Sequence, residues 1–359
     1  MKRLVLVTLA LMLAAGVLAS CQPPLPPEEA GVTSHIMWGD QTDLQRIVIL
    51  DKLKAANTDW IRLELGWHWL EQAGPGVYTQ WYLERLEFVV TAIRSRGIKV
   101  LAVLSGTPAW ANGGCGDFCP PDDPDDYASI AGWLAARFQG RIAAWEIWNE
   151  PNVGSRWVGV DAVRYTRLLQ KAYPAIKTAD PAAVVLDGGT PFNNTNWLRQ
   201  LYDAGARGYF DAHATHPYLE PRDAPPEVPD TGTKTMRHVK AVHDLMVARG
   251  DTNKPIWFTE FGWSSHTNTG LNTCELPGVS VLTQADYLTR ALQMIARNYP
   301  YVKVAFWTSD RDLTVTPPPF DPCGEIVHQN NYGLLRSDLS EKPAFSALKT
   351  WATAAAAAR

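Results

Sequence analysis

The chain has 359 residues, with 33 Lys and Arg against 37 Asp and Glu and a formal net charge of −4 at pH 7. Removal of residues 1–20 leaves 31 basic against 37 acidic side chains, and this mildly acidic balance argues against a nucleic acid as a partner. Roughly 325 residues remain after the N-terminal segments described next, which is enough for one large domain. We expect that domain to be a monomer.

The N-terminus has the layout of an export signal. A basic dipeptide precedes an apolar run from Leu4 to Leu18, which is shorter than the roughly 20 apolar residues that a membrane-spanning helix needs. The sequence Leu-Ala-Ser-Cys that ends at Cys21 resembles the bacterial lipobox. That resemblance implies cleavage of a signal peptide 1–20 and a lipid on the Cys21 sulfur. Ordinary signal cleavage nearby, which would leave Cys21 as a free thiol, is the alternative.

A proline-rich segment follows the lipobox. Residues 22–31 read Gln-Pro-Pro-Leu-Pro-Pro-Glu-Glu-Ala-Gly, a composition that favours an extended, semi-rigid tether. We therefore expect an exported lipoprotein whose Cys21 and tether, residues 21–31, hold the folded body near a membrane. The sequence leaves open whether this is the cell membrane or the outer membrane, and whether the protein is periplasmic or on the cell surface.

Four cysteines remain once Cys21 is assigned to the lipid. An even number suits disulfide bonds in an oxidising compartment, and we expect the pairs Cys115–Cys119 and Cys274–Cys323, which is one of three possible pairings. A zinc site is the alternative, but neither a Cys-x-x-Cys pair nor a histidine at ligand spacing supports it. The sequence indicates no metal and no cofactor.

Short apolar runs alternate with amphipathic runs along the rest of the chain. Strict alternation of strands and helices predicts a parallel sheet with crossover helices, and eight repeats in a domain of this length favour a closed barrel. We therefore predict a single-domain α/β fold, a (β/α)8 TIM barrel over residues 32–354, with a frayed C-terminus at 355–359. The eight predicted strands are His35–Gly39, Trp60–Leu65, Ile98–Leu104, Ala143–Trp148, Val184–Leu186, Ala212–His216, Ile256–Thr259 and Val304–Thr308.

Two glutamates follow predicted strands four and seven. Glu150 lies in the run Trp-Glu-Ile-Trp-Asn-Glu-Pro-Asn, directly after Asn149, and Glu260 closes the run Ile-Trp-Phe-Thr-Glu. Barrels place their sites at the C-terminal ends of the strands, so the two carboxyl groups can face each other across the mouth. Hydrolysis of a glycosidic bond with retention needs such a pair, about 5–5.5 Å apart. Either glutamate alone would more often be an ordinary residue at the start of a helix.

Both motifs resemble those of clan A glycoside hydrolases. The Ser-Gly-Thr-Pro-Ala-Trp segment that ends at Trp110 and the Trp-Asn-Glu-Pro-Asn run are similar to family 39, and the cellulase-like family 5 is the neighbouring alternative. The likeness covers roughly residues 36–351. It implies that Glu150 is the acid/base and Glu260 the nucleophile, in an enzyme that cleaves β-glycosidic bonds of a poly- or oligosaccharide by retaining double displacement.

Further candidate residues surround this pair. Arg62 and Tyr218 would keep Glu260 ionised, and Asn149 would bond the sugar 2-hydroxyl. His216 resembles the clan's element at the end of strand six, and Trp307 would lie under the sugar. The complete set of predicted substrate-binding residues is Asn149, Arg62, His216, Tyr218, Trp307, Trp148 and Trp110, with His35 and Trp38 as weaker candidates.

These assignments have alternatives. Arg62 could form a purely structural ion pair with Glu64, or Glu146 could be its buried partner. The fifteen tryptophans could fill the core or hold sugar rings on their apolar faces. As a whole, the chain could be a non-catalytic carbohydrate-binding lipoprotein, a transglycosylase, or a metal-dependent hydrolase, although the His and Asp cluster that the last requires is not seen.

Overall fold

The structure is a computed structural model that describes residues 29–270, 274–317, 321 and 323–358. The predicted signal peptide, Cys21 and most of the predicted tether lie outside these residues. Nine strands are described: β1 (Glu29–Ser34), β2 (Trp60–Gly66), β3 (Lys99–Ser105), β4 (Ala144–Ile147), β5 (Val184–Leu186), β6 (Thr190–Pro191), β7 (His213–His216), β8 (Ile256–Phe261) and β9 (Val302–Thr308).

Helices follow the strands in alternation. They are α1 (Asp43–Ala55), α2 (Trp67–Leu70), α3 (Gln80–Arg94), α4 (Pro124–Arg137), α5 (Ala162–Ala179), α6 (Thr195–Asp203), α7 (Val239–Ala248), α8 (Val281–Asn298), α9 (Glu325–Asn330) and α10 (Pro343–Ala358). Among the described residues, no helix is both long enough and apolar enough to cross a bilayer.

The strands form one parallel sheet that curls into a barrel. Its order is β5-β4-β3-β2-β1-β9-β8-β7-β6, and a parallel bridge between Leu186 at the end of β5 and Ala212 just before β7 joins the two sides. Eight strands therefore build the barrel, while the two-residue β6 lies beside β7. The predicted TIM barrel is confirmed.

Two hydrophobic clusters hold the barrel together. One lies between the sheet and the helices and contains most of the buried aliphatic side chains. The other fills the barrel interior below the site, where Trp60 packs edge-on against Trp257 with ring centroids 5.0 Å apart. Along each strand, inward-facing side chains alternate with outward-facing ones. The inward-facing positions nearer the C-terminal ends of the strands, beyond this apolar layer, can therefore carry polar groups.

The structure corrects the predicted first strand of the barrel. The first strand is Glu29–Ser34, so it begins inside the predicted tether and ends before the predicted strand His35–Gly39. Backbone pairing with β2 and β9 fixes this register. At the other end, α10 continues to Ala358 and buries Ala355, and the fraying of residues 355–359 stays a prediction.

Both predicted disulfide bonds are present. Cys115 pairs with Cys119 in the segment after β3, and Cys274 pairs with Cys323, which joins the segments after β8 and β9. Because these segments follow the C-terminal ends of parallel strands, the disulfides lie on the face of the barrel that carries the candidate site.

Candidate active site

Arg62 is the centre of a buried polar network inside the barrel mouth. It comes from β2, is fully buried, and donates from Nε to Glu146 Oε2, from Nη1 to Glu260 Oε1 and from Nη2 to Asn149 Oδ1, each at 2.7 Å. Burial alone would lower the pKa of Arg62, but the charges of Glu146 and Glu260 raise it above its ordinary value. The partner of Arg62 is therefore Glu146 rather than Glu64, as one of the sequence alternatives held.

Glu260 lies on β8 between two donors. Arg62 binds one carboxylate oxygen, and the Tyr218 hydroxyl donates to the other at 2.8 Å. Burial would raise the pKa of Glu260, but the positive charges of His216 and Arg62 outweigh it and lower the pKa to about 2. The carboxylate is thus ionised at neutral pH, as a nucleophile requires. The β8–β9 register shifts between Phe258 and Phe261, and such an irregularity re-aims side chains at a barrel rim.

Glu150 follows β4 in an unusual backbone conformation. Both Trp148 and Glu150 have positive φ, 69° and 51°, a region that costs energy for residues with a side chain and is common at functional sites. The Glu150 amide donates to the Gly189 carbonyl at 2.9 Å. Its side chain, 17% exposed, accepts from His216 Nδ1 at 3.0 Å. The turn after β4 therefore aims the Glu150 carboxyl group into the mouth.

His216 at the end of β7 lies among three carboxylates. Its Nδ1 faces Glu150, and its Nε2 is 3.8 Å from Glu146 and 3.9 Å from Glu260. Burial would lower the pKa of His216, but the three negative charges raise it to about 9. The imidazole is consequently protonated at neutral pH. Three of these residues, Glu150, His216 and Glu260, are close enough to one another to suit a metal ion.

The two catalytic candidates are close together. One ligand atom from each of Glu150, His216 and Glu260 can be chosen such that all three lie within 4.8 Å of one another. This puts a carboxylate oxygen of Glu150 near one of Glu260, at the scale of the separation that retaining glycosidases use. The pair therefore has the spacing to act on opposite sides of one glycosidic bond.

The sequence did not single out the segment after β5, which supports the site from behind. The Gly189 amide donates to Glu146 Oε1 at 2.9 Å, and Thr259 Oγ1 donates to the same oxygen at 3.2 Å. A Cβ at Gly189 would lie 2.2 Å from His216 Nε2, so only glycine allows this approach. The adjacent Asp-Gly-Gly triplet was the available signal, since paired glycines mark close backbone approach.

The predicted tryptophans lie around this network rather than in it. Trp148 and Trp307 are 0% and 1% exposed; Trp148 donates to the Arg156 carbonyl and Trp307 to the Tyr332 carbonyl. Trp110 is half-buried and donates to the Glu71 carbonyl. A direct contact of these rings with a sugar stays a prediction.

The weaker candidates lie at the mouth after β1. His35 is buried, and Trp38, which packs on it with ring centroids 4.3 Å apart, is partly exposed. The charge of His35 also contributes to the lowered pKa of Glu260. Both residues therefore border the network that contains the two glutamates.

An eight-stranded parallel barrel with two facing carboxylates at its C-terminal mouth is the architecture of the barrel-type glycoside hydrolases. The chain belongs to the cellulase family, glycosyl hydrolase family 5, whose family model matches residues 19–312. The resemblance to clan A is thus confirmed, in the family that the sequence placed second. No significant match was found among curated proteins.

Solved structures support the same fold. A family 39 glycoside hydrolase from Bacteroides cellulosilyticus WH2 is 25% identical with a TM-score of 0.73, over 91% of this chain and 64% of that one. A monomeric β-xylosidase from Caulobacter crescentus CB15 is 19% identical, with a TM-score of 0.65, over 91% and 68%. A family 5 subfamily 18 protein from Streptomyces cattleya, in complex with GlcNAc, is 18% identical with a TM-score of 0.69, over 92% and 80%. The chain thus spans slightly less than two thirds of the first of these proteins.

Proposed function

We propose that this protein hydrolyses β-glycosidic bonds of a poly- or oligosaccharide with retention of anomeric configuration. The observation that carries the proposal is the pair of carboxylates at the barrel mouth, whose oxygens approach within 4.8 Å in different surroundings. Glu260 accepts from both Arg62 and Tyr218, which keep it ionised, whereas Glu150 is partly exposed at the mouth and accepts a hydrogen bond from His216. One group suits nucleophilic attack and the other suits proton transfer.

In the first step, a carboxylate oxygen of Glu260 attacks the anomeric carbon while the glycosidic bond breaks. The leaving oxygen takes its proton from Glu150, which yields a glycosyl ester on Glu260 and a free alcohol. In the second step, Glu150 removes a proton from water as the water oxygen attacks the anomeric carbon, and the Glu260 carboxylate departs. Two inversions restore the β configuration.

Neighbouring groups assist both steps. The Asn149 amide oxygen accepts from Arg62, which leaves its NH2 group free to donate toward the sugar 2-hydroxyl, a bond that strengthens in the oxocarbenium-like transition state. His216 and Arg62 offset the charges of Glu146 and Glu260 within the buried cluster. The attacking carboxylate is therefore positioned before the substrate arrives, which reduces reorganisation during the reaction.

The substrate class is inferred from the neighbours. One is described as a β-xylosidase, another as an exo-β-1,4-mannosidase, and a family 5 structure contains Manβ1-4GlcNAc. These names support a β-linked sugar as the substrate. The panel of substrates to test therefore consists of xylo-, manno- and gluco-configured β-glycans.

The experiment uses the purified protein on this panel, with product anomers followed by NMR. Wild type should release the β anomer first. Glu150→Ala should lower kcat/KM by about 10²–10⁴-fold, the range for loss of a general acid–base, and Glu260→Ala by at least as much. Glu87→Gln removes a carboxylate on α3 that pairs with Arg137 at the end of α4 and with Arg141 in the turn after it, and this variant should behave as wild type. First release of the α anomer, or unchanged activity in either alanine variant, would refute the mechanism.

We also propose that the protein is exported and anchored through a lipid on Cys21, on the strength of the lipobox resemblance. Metabolic labelling with palmitate tests this. Cys21→Ser should lose the label, whereas Cys115→Ser should keep it. Equal labelling of both variants would contradict the anchor.

A further inference from the structure

Three of the fifteen tryptophans are partly exposed, each by more than a third, and all three belong to the first two strand–helix units. Trp38, Trp69 and Trp81 are 36%, 48% and 47% exposed. Burial of a large indole ring is energetically favourable. Several exposed rings grouped on a protein surface therefore mark a binding site more often than a single exposed ring does. Their common location at one part of the barrel mouth indicates a ligand-binding site there.

The fold holds these rings in place. Trp69 lies in α2, directly after β2, and Trp81 is the second residue of α3; their ring centroids are 6.3 Å apart. The Tyr82 hydroxyl accepts from the Gly66 amide at 2.9 Å, which fixes the first turn of α3 against the end of β2. The Arg85 guanidinium lies 5.2 Å from the centre of the Trp81 ring. The pair is thus arranged before any ligand binds.

The pair is continuous with the catalytic network along β2. Arg62, Glu64 and Gly66 are every second residue of β2, so they share the face of the strand that points into the mouth. At about 3.3 Å per residue, the distance along the strand from Arg62 to Gly66 is about 13 Å. A Cβ on Gly66 would lie 2.8 Å from the Trp69 ring. The Trp69 ring therefore begins where the strand ends, four residues beyond the position of Arg62 on β2.

We propose that Trp69 and Trp81 form a distal subsite that binds one sugar unit of a β-linked glycan chain, away from the bond that is cleaved. This inference rests on the proposed function and deepens it, because such a subsite makes the protein an enzyme for chains rather than for single terminal sugars. The axial C–H face of a pyranose stacks on an indole, while its hydroxyl groups face polar neighbours. His68, against the Trp69 ring, and Arg85, over the Trp81 ring, provide such neighbours.

The test compares Trp69→Ala, Trp69→Phe and wild type on a polysaccharide and on the p-nitrophenyl glycoside of the same sugar. The polysaccharides are xylan, glucomannan and carboxymethylcellulose. For the polysaccharide that wild type cleaves best, Trp69→Ala should lower kcat/KM about tenfold, the scale of one lost aromatic stacking contact, with no change on the aryl glycoside. Trp69→Phe should keep most of the activity. Trp351→Ala, which truncates a tryptophan on α10, is the matched control. Equal losses on both substrates, or no loss, would overturn the subsite.

Binding is measured separately, by retardation of the protein in native gels that contain each polysaccharide. This readout does not depend on catalysis, so it separates the two proposals. Wild type should be retarded in at least one gel and Trp69→Ala should not; absence of any wild-type retardation, or equal retardation of both, would overturn the subsite. If wild type is retarded but cleaves nothing, the proposed hydrolysis fails while the subsite stands. Trp81→Ala should reproduce the result if Trp69→Ala has a lowered Tm.

Discussion

Arg62 contributes both to the stability of the fold and to the arrangement of the candidate active site. All three of its hydrogen bonds go to side chains, and two of these partners, Glu146 and Glu260, are charged. Glu146 is itself fully buried, and Arg62, ahead of His216, supplies most of its counter-charge. A buried ion pair adds little net stability, but removal of one partner leaves a charge without compensation.

We therefore expect Arg62→Ala to lower the free energy of unfolding by about 3–5 kcal/mol, the usual cost of breaking a buried pair. Arg290→Ala, which removes surface pairs with Glu227 and Asp286, should cost less than about 1 kcal/mol. Urea unfolding measures both. Similar losses of unfolding free energy in the two variants would show that Glu146 does not depend on the buried charge of Arg62.

The pKa of His216 predicts a pH dependence of stability. It rises from an ordinary value of 6.5 to about 9 in the folded protein, because the surrounding carboxylates outweigh the effect of burial. A group whose pKa is raised on folding stabilises the fold fully below its unfolded pKa, and this contribution is lost as the pH rises through the folded pKa. The Tm of wild type should therefore fall between pH 6.5 and 9.

His216→Gln should show a smaller fall over that interval, although its Tm at pH 6 is lower than that of wild type. His243→Gln is the control, since His243 stacks on Tyr301 on the outside of the barrel. Parallel Tm curves for His216→Gln and wild type would contradict the assignment of the positive charge to His216.

At the scale of elements, the segment after β5 is as important as the strands that carry the carboxylates. Gly189 accepts from the Glu150 amide and donates to Glu146, so it joins the turns after β4 and β5. It also lies against the His216 ring, where a Cβ has no space.

Gly189→Ala should consequently displace His216 and lower kcat, with a loss of stability of about 1–3 kcal/mol from overpacking. Gly154→Ala is a matched control in the segment after β4, because a Cβ there would have no heavy atom within 4 Å. Steady-state kinetics and Tm of both variants test this. Full activity of Gly189→Ala would mean that the segment can move away without consequence for the site.

The sequence predicted most elements because their apolar periodicity is strong. Strands such as Val184–Leu186 are short buried runs with clear turns on both sides, and their bounds agree with the structure. The first strand differs, since the residues of Glu29–Ser34 are small or polar and follow a run of prolines. Their strand structure comes from pairing with β2 and β9, which no local pattern records.

Within the site, the residues at the strand ends could be predicted from the sequence. The contacts that hold those residues in position could not. Glu150, Glu260, Arg62 and His216 follow from position on the strands and resemblance. The paired glycines at 188 and 189 signal a close backbone approach, but that the partner is His216 depends on how the β5 segment packs across the barrel. The register shift around Glu260 is similarly a property of the β8–β9 pairing.

At the scale of the whole molecule, the two disulfides close loops of very different length. Cys274–Cys323 spans 49 residues and Cys115–Cys119 spans 4. Because a longer loop restricts the unfolded chain more, loss of the first bond should cost about 4 kcal/mol and loss of the second about 2 kcal/mol. Urea unfolding of the double serine variants measures each. A larger loss for the short loop would contradict this entropic account.

In the proposed mechanism Glu260 is the nucleophile and Glu150 the acid/base, and azide rescue tests these roles most directly. Both alanine variants are given an activated aryl β-glycoside with sodium azide, and the configuration of the glycosyl azide is determined by NMR. In Glu260→Ala, azide occupies the space of the missing carboxylate and should give the α-glycosyl azide. In Glu150→Ala, the glycosyl ester still forms on Glu260, and azide should give the β-glycosyl azide. The opposite pair of products would reverse the two roles, and the absence of any azide product from both variants would contradict the retaining mechanism.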